Sequence, residues 1–114
     1  MGRRLATLLI AVCALVGTAC IGRFATWPPD ELATAYTIEG CESTHGEDPR
    51  AYDLNAGSGG IMQIDKETWA DFFAREYGWT WTQIVQDDVL NHRAARVVWD
   101  RAGGSWQPWS ACVP

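Results

Sequence analysis

The sequence predicts a small, mainly helical domain with a minimal strand and loop region and one disulfide. Three observations carry this. Apolar residues recur at helical spacing in separate stretches between Asp30 and Ala102. A glycine-rich segment from Ser43 to Gly60 keeps no period of either kind. Cys41 and Cys112 are the one cysteine pair beyond the first twenty residues, and they would tie the middle of the chain to its last residues. A chain of 114 residues has room for a single domain.

Residues 1–20 read as a secretory signal. Arg3 and Arg4 form a basic head, Leu5 to Val16 is almost unbroken apolar sequence, and Gly17, Thr18 and Ala19 are small. The apolar run is shorter than the roughly 20 residues a spanning helix needs. A buried core helix is the alternative, but no polar face interrupts the run. Leu15-Val16-Gly17-Thr18-Ala19-Cys20 resembles the end of a bacterial lipoprotein signal, with Gly17 where that pattern places an aliphatic residue. Lipidation of Cys20, cleavage without lipidation and retention as an anchor all stay open. Each places the protein outside the cytoplasm, secreted or held at the cell envelope, and touching membrane only through this segment.

Residues 21–29 read as a linker, because Pro28-Pro29 cannot sit inside a helix. The domain then spans 30–114. Asp30-Glu31 suit a helix N-terminus. Leu32, Ala35, Tyr36, Ile38 and Cys41 would form that helix's apolar face, and Gly40 marks a close approach or a stop. Gly46, Pro49, Asn55, Gly57, Gly59 and Gly60 supply turn chemistry. Ile61-Met62-Gln63-Ile64 is either a short strand or the lead-in to a helix. The pattern predicts a helix from Lys66 to about Tyr77, with Trp69, Phe72 and Phe73 on one side and Gly78 ending it. A short helix follows over Thr82–Gln86. The last helix runs from Asp87 or Asp88 to about Ala102, its apolar face built from Val89, Leu90, Ala94, Val97 and Val98. Gly103-Gly104 stops it, and an irregular tail contains Cys112. In an exported protein Cys41 and Cys112 read as a disulfide; two buried thiols are the alternative.

Composition excludes some functions. Removing Arg3 and Arg4 with the signal takes the formal charge from −5 to −7, so no basic stripe is left to neutralise nucleic-acid phosphates. His45 and His92, the two histidines, lack a metal-ligand motif. Asp53-Leu54-Asn55-Ala56-Gly57 begins like a calcium loop but has Ile64 where the bidentate carboxylate belongs. Neither metal nor cofactor is expected.

Glu42 is the residue best placed for chemistry. It ends a half-apolar helix, adjoins Cys41 and sits at the rim of the glycine-rich loop. Partial desolvation there would keep its carboxyl protonated, as a general acid for glycoside cleavage requires. On position alone, an ordinary exposed glutamate at a helix end is the simpler reading.

The neighbours change that balance. Cys41-Glu42-Ser43, a loop with Tyr52 and Asn55, Gly60-Ile61-Met62-Gln63-Ile64, then Thr68-Trp69 resemble the lysozyme-like superfamily. The nearest likeness is to soluble lytic transglycosylases and to resuscitation-promoting-factor-like domains. Asn91, Ala94, Ala95 and Trp99 are similar to that family's last core helix, and Gly104 to Cys112 to its Trp-Pro-Trp…Cys tail. The likeness covers about Pro28 to Cys112. It departs in lacking the Ala-Tyr-Asn triplet of many larger lytic transglycosylases, which leaves that tyrosine's role unassigned or filled by Tyr52.

The resemblance implies a mainly α, lysozyme-like α+β fold and a monomer acting on peptidoglycan glycan strands. Glu42 would be the acid/base for the MurNAc–GlcNAc linkage. Ser43 would orient the glutamate or the sugar, and Gln63 would contact the substrate. Tyr52, Asn55, Trp106 and Trp109 would complete the binding surface, with Trp69 and Trp99 in the core. In a lytic transglycosylase the substrate's acetamido group stabilises the cationic centre, and Glu42 then deprotonates the muramic acid 6-hydroxyl to close an anhydro ring. A hydrolytic muramidase would call for a second carboxylate, for which Asp48 and Asp53 are the sequence-near candidates; a phage lysis enzyme held by an N-terminal anchor would be a variant of the same chemistry. A non-catalytic glycan-binding protein on the same scaffold is the reading from another class.

Overall fold

A computed structural model describes residues 22–113. The signal-like segment and Cys20, the candidate for lipidation, lie outside the described residues. Among the described residues the fold is carried by helices α1 (Leu32–Ser43), α2 (Lys66–Tyr77), α3 (Trp81–Gln86) and α4 (Asp88–Arg101). Strands β1 (Ser58–Gly59) and β2 (Ile64–Asp65) pair antiparallel, Ser58 facing Asp65 and Gly59 facing Ile64. Short 3-10 turns occupy Pro29–Glu31, Pro49–Tyr52 and Gln107–Trp109. The architecture is mainly α with a minimal ribbon, as the periodicity predicts. Among the described residues no helix is long and apolar enough to cross a membrane.

Local chemistry sets most boundaries. The Asp65 side chain accepts from the Thr68 amide and starts α2, and Gly78, at φ 69°, ends it in the left-handed region. Thr80 and Gln83 form a reciprocal capping box on α3, and Asp87 caps α4. Helix α1 has no side-chain cap and continues directly from the Pro29–Glu31 turn. Gly40 lies inside α1 and does not stop it. A Cβ there would lie 2.8 Å from His45 Nε2, so the glycine makes room for a histidine.

The core joins Leu32, Ala35 and Ile38 of α1 to Ile61, Met62, Ile64, Phe73 and Ile84, and to Ala94, Ala95 and Val98 of α4. Several expectations need correcting. Tyr36 and Val89 are exposed rather than inward, because Glu39 and Ser43 of α1 and Asn91 and His92 of α4 occupy the buried stripes. Those polar side chains find partners inside, which rotates each helix's buried face away from the purely apolar choice. Ile61 to Gln63 form a turn, and only Ile64 of that patch is strand.

The segment from Gly22 to Pro29 is not a linker. Phe24 and Trp27 are buried, the Arg96 guanidinium donates to the Thr26 carbonyl, and Trp27 packs on Trp99 and Trp106. We call residues 22–31 the strap. At the other end Cys41 and Cys112 form a disulfide, with Cα atoms 5.7 Å apart. It ties the C-terminal turn of α1 to the tail.

Candidate functional site

The ribbon and the tail leave one side of α1's end open. A cleft of about 290 Å³ lies there. Glu42 lines it from α1, Ser58, Gln63, Ile64 and Asp65 from the ribbon, Trp69 from α2, Val98 from α4, and Pro108 and Trp109 from the tail.

Glu42 is half-buried, and burial pushes its carboxyl above the ordinary carboxylate value. None of the ion pairs among the described residues involves it. Its Oε1 lies 3.2 Å from Cys112 Sγ, a bridged sulfur with no proton to give. No donor in the disulfide therefore offsets the cost of ionising the carboxyl.

Glu39, one turn earlier on α1, has the opposite environment. It is fully buried, which alone would raise its pKa, yet four hydrogen bonds fill its two oxygens. Arg23 donates from Nε to Oε2 (2.9 Å) and from Nη2 to Oε1 (3.1 Å). His45 Nδ1 lies 2.8 Å from Oε1, and His92 Nε2 lies 2.7 Å from Oε2. Burial is outweighed, and the carboxyl is held down at about 2. The Trp27 indole N–H donates to His92 Nδ1 at 2.9 Å. Indole is only a donor, so Nδ1 carries the lone pair and Nε2 the proton. His92 is therefore neutral, in keeping with the lowering of its pKa by burial. Two glutamates on one helix thus divide into a structural anion and a carboxyl that holds its proton more readily.

The expected site residues separate in space. Gln63 lines the cleft at φ 51°, and its Nε2 donates to the carbonyls of Ala51 and Gly60. Its Oε1 is the amide atom left for a ligand. Trp109 borders the cleft but is buried in the core, with its indole N–H donating to the Met62 carbonyl at 2.8 Å, so it is not the open stacking platform expected of it. Ser43 is buried: its hydroxyl donates to the Ile61 carbonyl at 2.7 Å and accepts from the Gly46 amide at 2.9 Å. It ties the loop to α1 and faces neither Glu42 nor the cleft. The Tyr52 hydroxyl donates to Asp88 Oδ1 at 2.9 Å, and its pKa is pushed up to about 12 by burial and that carboxylate. Asn55 borders a separate depression with Lys66 and Asp71. Trp106 packs between Trp27 and Trp109, and its indole N–H donates to Glu31 Oε2. Neither Asp48, which pairs with Arg50, nor Asp53, which caps the Asn55 amide, lines the cleft.

Asp65 and Trp69 do line it, and neither stood out in the sequence as a site residue. Asp65 looks like an ordinary helix cap there, and it is one; its Oδ2 accepts from Thr68. Only the ribbon's pairing aims it at the cleft. Asn91, fully buried on α4, holds the ribbon in place. Its Nδ2 donates to the carbonyls of Gly59 and Ile84, and its Oδ1 accepts from the Met62 amide at 2.7 Å. Among the described residues no group of three His, Cys, Asp or Glu side chains is arranged to hold a metal.

Comparison of the chain with protein-family models, curated proteins and solved structures yields no match.

Proposed function

We propose that the protein is an exported peptidoglycan lytic transglycosylase that cuts the MurNAc–GlcNAc linkage with Glu42 as acid and then base. The observation that carries this reading is the half-desolvated, unpaired carboxyl of Glu42 opening onto a cleft with an aromatic wall. Desolvation favours the protonated carboxyl, whose O–H can pass its proton to the glycosidic oxygen as the glycosidic bond breaks. Once that proton has left, the same group is basic enough to take one back from a sugar hydroxyl. Trp69, only partly buried, offers a flat surface for a sugar ring. Gln63 Oε1 can accept from a substrate amide or hydroxyl. The likeness of the Glu-Ser, Gly…Gln and Trp-Pro-Trp…Cys segments to lytic transglycosylases adds the substrate and the anhydro product.

A hydrolytic muramidase is the second reading, and Asp65 favours it. Its Oδ2 is occupied by Thr68, which leaves Oδ1 to hold a water in the cleft.

Digestion of purified peptidoglycan by the full chain in mild detergent, followed by mass spectrometry, tests both. Anhydro products lighter by one water than hydrolysed muropeptides, lost in Glu42→Gln and kept in Asp65→Asn, support the transglycosylase. Full-mass reducing ends lost in both variants support the muramidase. Glycan bound but uncut by the wild type would replace the enzyme with a binding protein.

A further inference from the structure

The Glu39 cluster takes no direct part in the chemistry proposed for Glu42, yet it is the most elaborate polar arrangement among the described residues. It draws on three parts of the chain. Arg23 comes from the strap, His45 from the loop after α1, and His92 from α4 with Trp27 behind it. Aromatic rings close it on two sides: Phe24 lies 4.7 Å from the His92 ring, and Tyr36 stacks on His45 at 4.1 Å. Glu39 and Glu42 are three residues apart on α1, so their Cβ atoms are about 5–6 Å apart and on adjacent edges of the helix.

We propose that Arg23 is a positioning residue for Glu42, acting through Glu39. This inference rests on Glu42 being the acid of the proposed reaction. Two effects follow from the geometry. The bidentate Arg23–Glu39 pair locks the last turns of α1 against the strap and α4, which fixes where Glu42 enters the cleft. Arg23 also supplies the positive charge that balances Glu39. His92 is neutral, so without Arg23 a carboxylate one turn from Glu42 would stand without that balance. The other charged or titratable groups around the pair are Asp88 and Tyr52 near Arg23, His45 against Glu39, and Asp65, which lines the same cleft as Glu42.

The sign of the effect is fixed. Removing a nearby positive charge makes Glu42 harder to ionise, so the high-pH limb of turnover, where the acid loses its proton, moves to higher pH.

The test compares wild type, Arg23→Gln, Arg23→Lys and Arg23→Gln/Glu39→Gln as full chains in mild detergent, with Glu42→Gln alongside. Peptidoglycan release is followed across pH, and circular dichroism gives the folded fraction. Arg23→Gln should lower kcat about tenfold with KM little changed, and raise the high-pH limb by about half to one unit. Arg23→Lys keeps the charge but not the planar fork, so its limb should stay near wild type while kcat falls. The double variant removes both charges, and its limb should return towards wild type. A limb that stays put in Arg23→Gln, with kcat falling only as the folded fraction falls, overturns the inference. If Arg23→Gln does not fold, an Arg23→Lys limb moved as far as one unit overturns it, and an unmoved limb with reduced kcat supports it. Activity surviving in Glu42→Gln would instead sink the catalytic reading, whatever the Arg23 variants do.

Discussion

Replacing Cys41 and Cys112 together by serine tests how far the disulfide holds the domain. The bridge closes a loop with a sequence separation of 71 residues. The chain-entropy relation gives about 4 kcal/mol for a loop of that length. Small domains total about 5–15 kcal/mol, and one this size belongs at the low end. The variant should therefore melt about 15–30 °C below wild type and show a much lower urea midpoint. The m-value should change as well, because the unfolded wild-type chain is cross-linked. The tail will not leave the fold entirely, since Trp109 is buried and its indole N–H is bonded to the Met62 carbonyl. Turnover measured well below the variant's midpoint should still fall, because Cys112 abuts Glu42 and the tail forms one wall of the cleft. A loss below about 1 kcal/mol would refute the reasoning. It would mean that tail packing alone closes the structure, or that the unfolded chain is already constrained.

The other predictions concern the ribbon and the two glutamates. Gly60→Ala should unfold the ribbon or displace Asn91, because a Cβ at Gly60 would stand 1.9 Å from Asn91 Nδ2 on a backbone with φ 85°. Gly57→Ala meets nothing within 4 Å and should be close to neutral in the same thermal scan. Glu39 has a depressed pKa, so its contribution to stability is present above the ordinary carboxylate value. It is lost as pH falls from about 4.5 towards about 2, and denaturation titrations should show an acid transition that Glu39→Gln removes. Glu42 works the other way. Its raised pKa makes the wild type lose stability as pH climbs past the ordinary carboxylate range, so Glu42→Gln should be the more stable protein at neutral pH although inactive. Equal stabilities of Glu42→Gln and wild type across that range would argue against desolvation at this carboxyl.

Residues that act through their neighbours in sequence were legible without coordinates. Gly78 ends α2 where its freedom to adopt positive φ predicts, and α4 runs between Asp88 and Arg101 as the apolar spacing and Gly103-Gly104 require. The Cys41–Cys112 bridge and the border position of Glu42 were also readable, because each depends on where a residue falls along the chain. The strap was not. Pro28-Pro29 excludes a helix, but nothing local says that Phe24 and Trp27 will turn inward, since the surfaces they cover belong to α1 and α4. Glu39 was equally hidden. A charge in a buried stripe can be seen in the helical pattern, whereas its partners come from positions 16 residues before and 53 residues after it. The same limit removed Ser43, Tyr52 and Trp106 from the cleft and brought in Asp65 and Trp69. The sequence by itself determined the helices, their ends, the bridge and the one carboxyl at the loop's edge, because propensity, capping and spacing are short-range. Only the tertiary structure decided which carboxyl is held as an anion and which tends to keep its proton, because that difference lies in burial and in hydrogen-bond partners far apart along the chain.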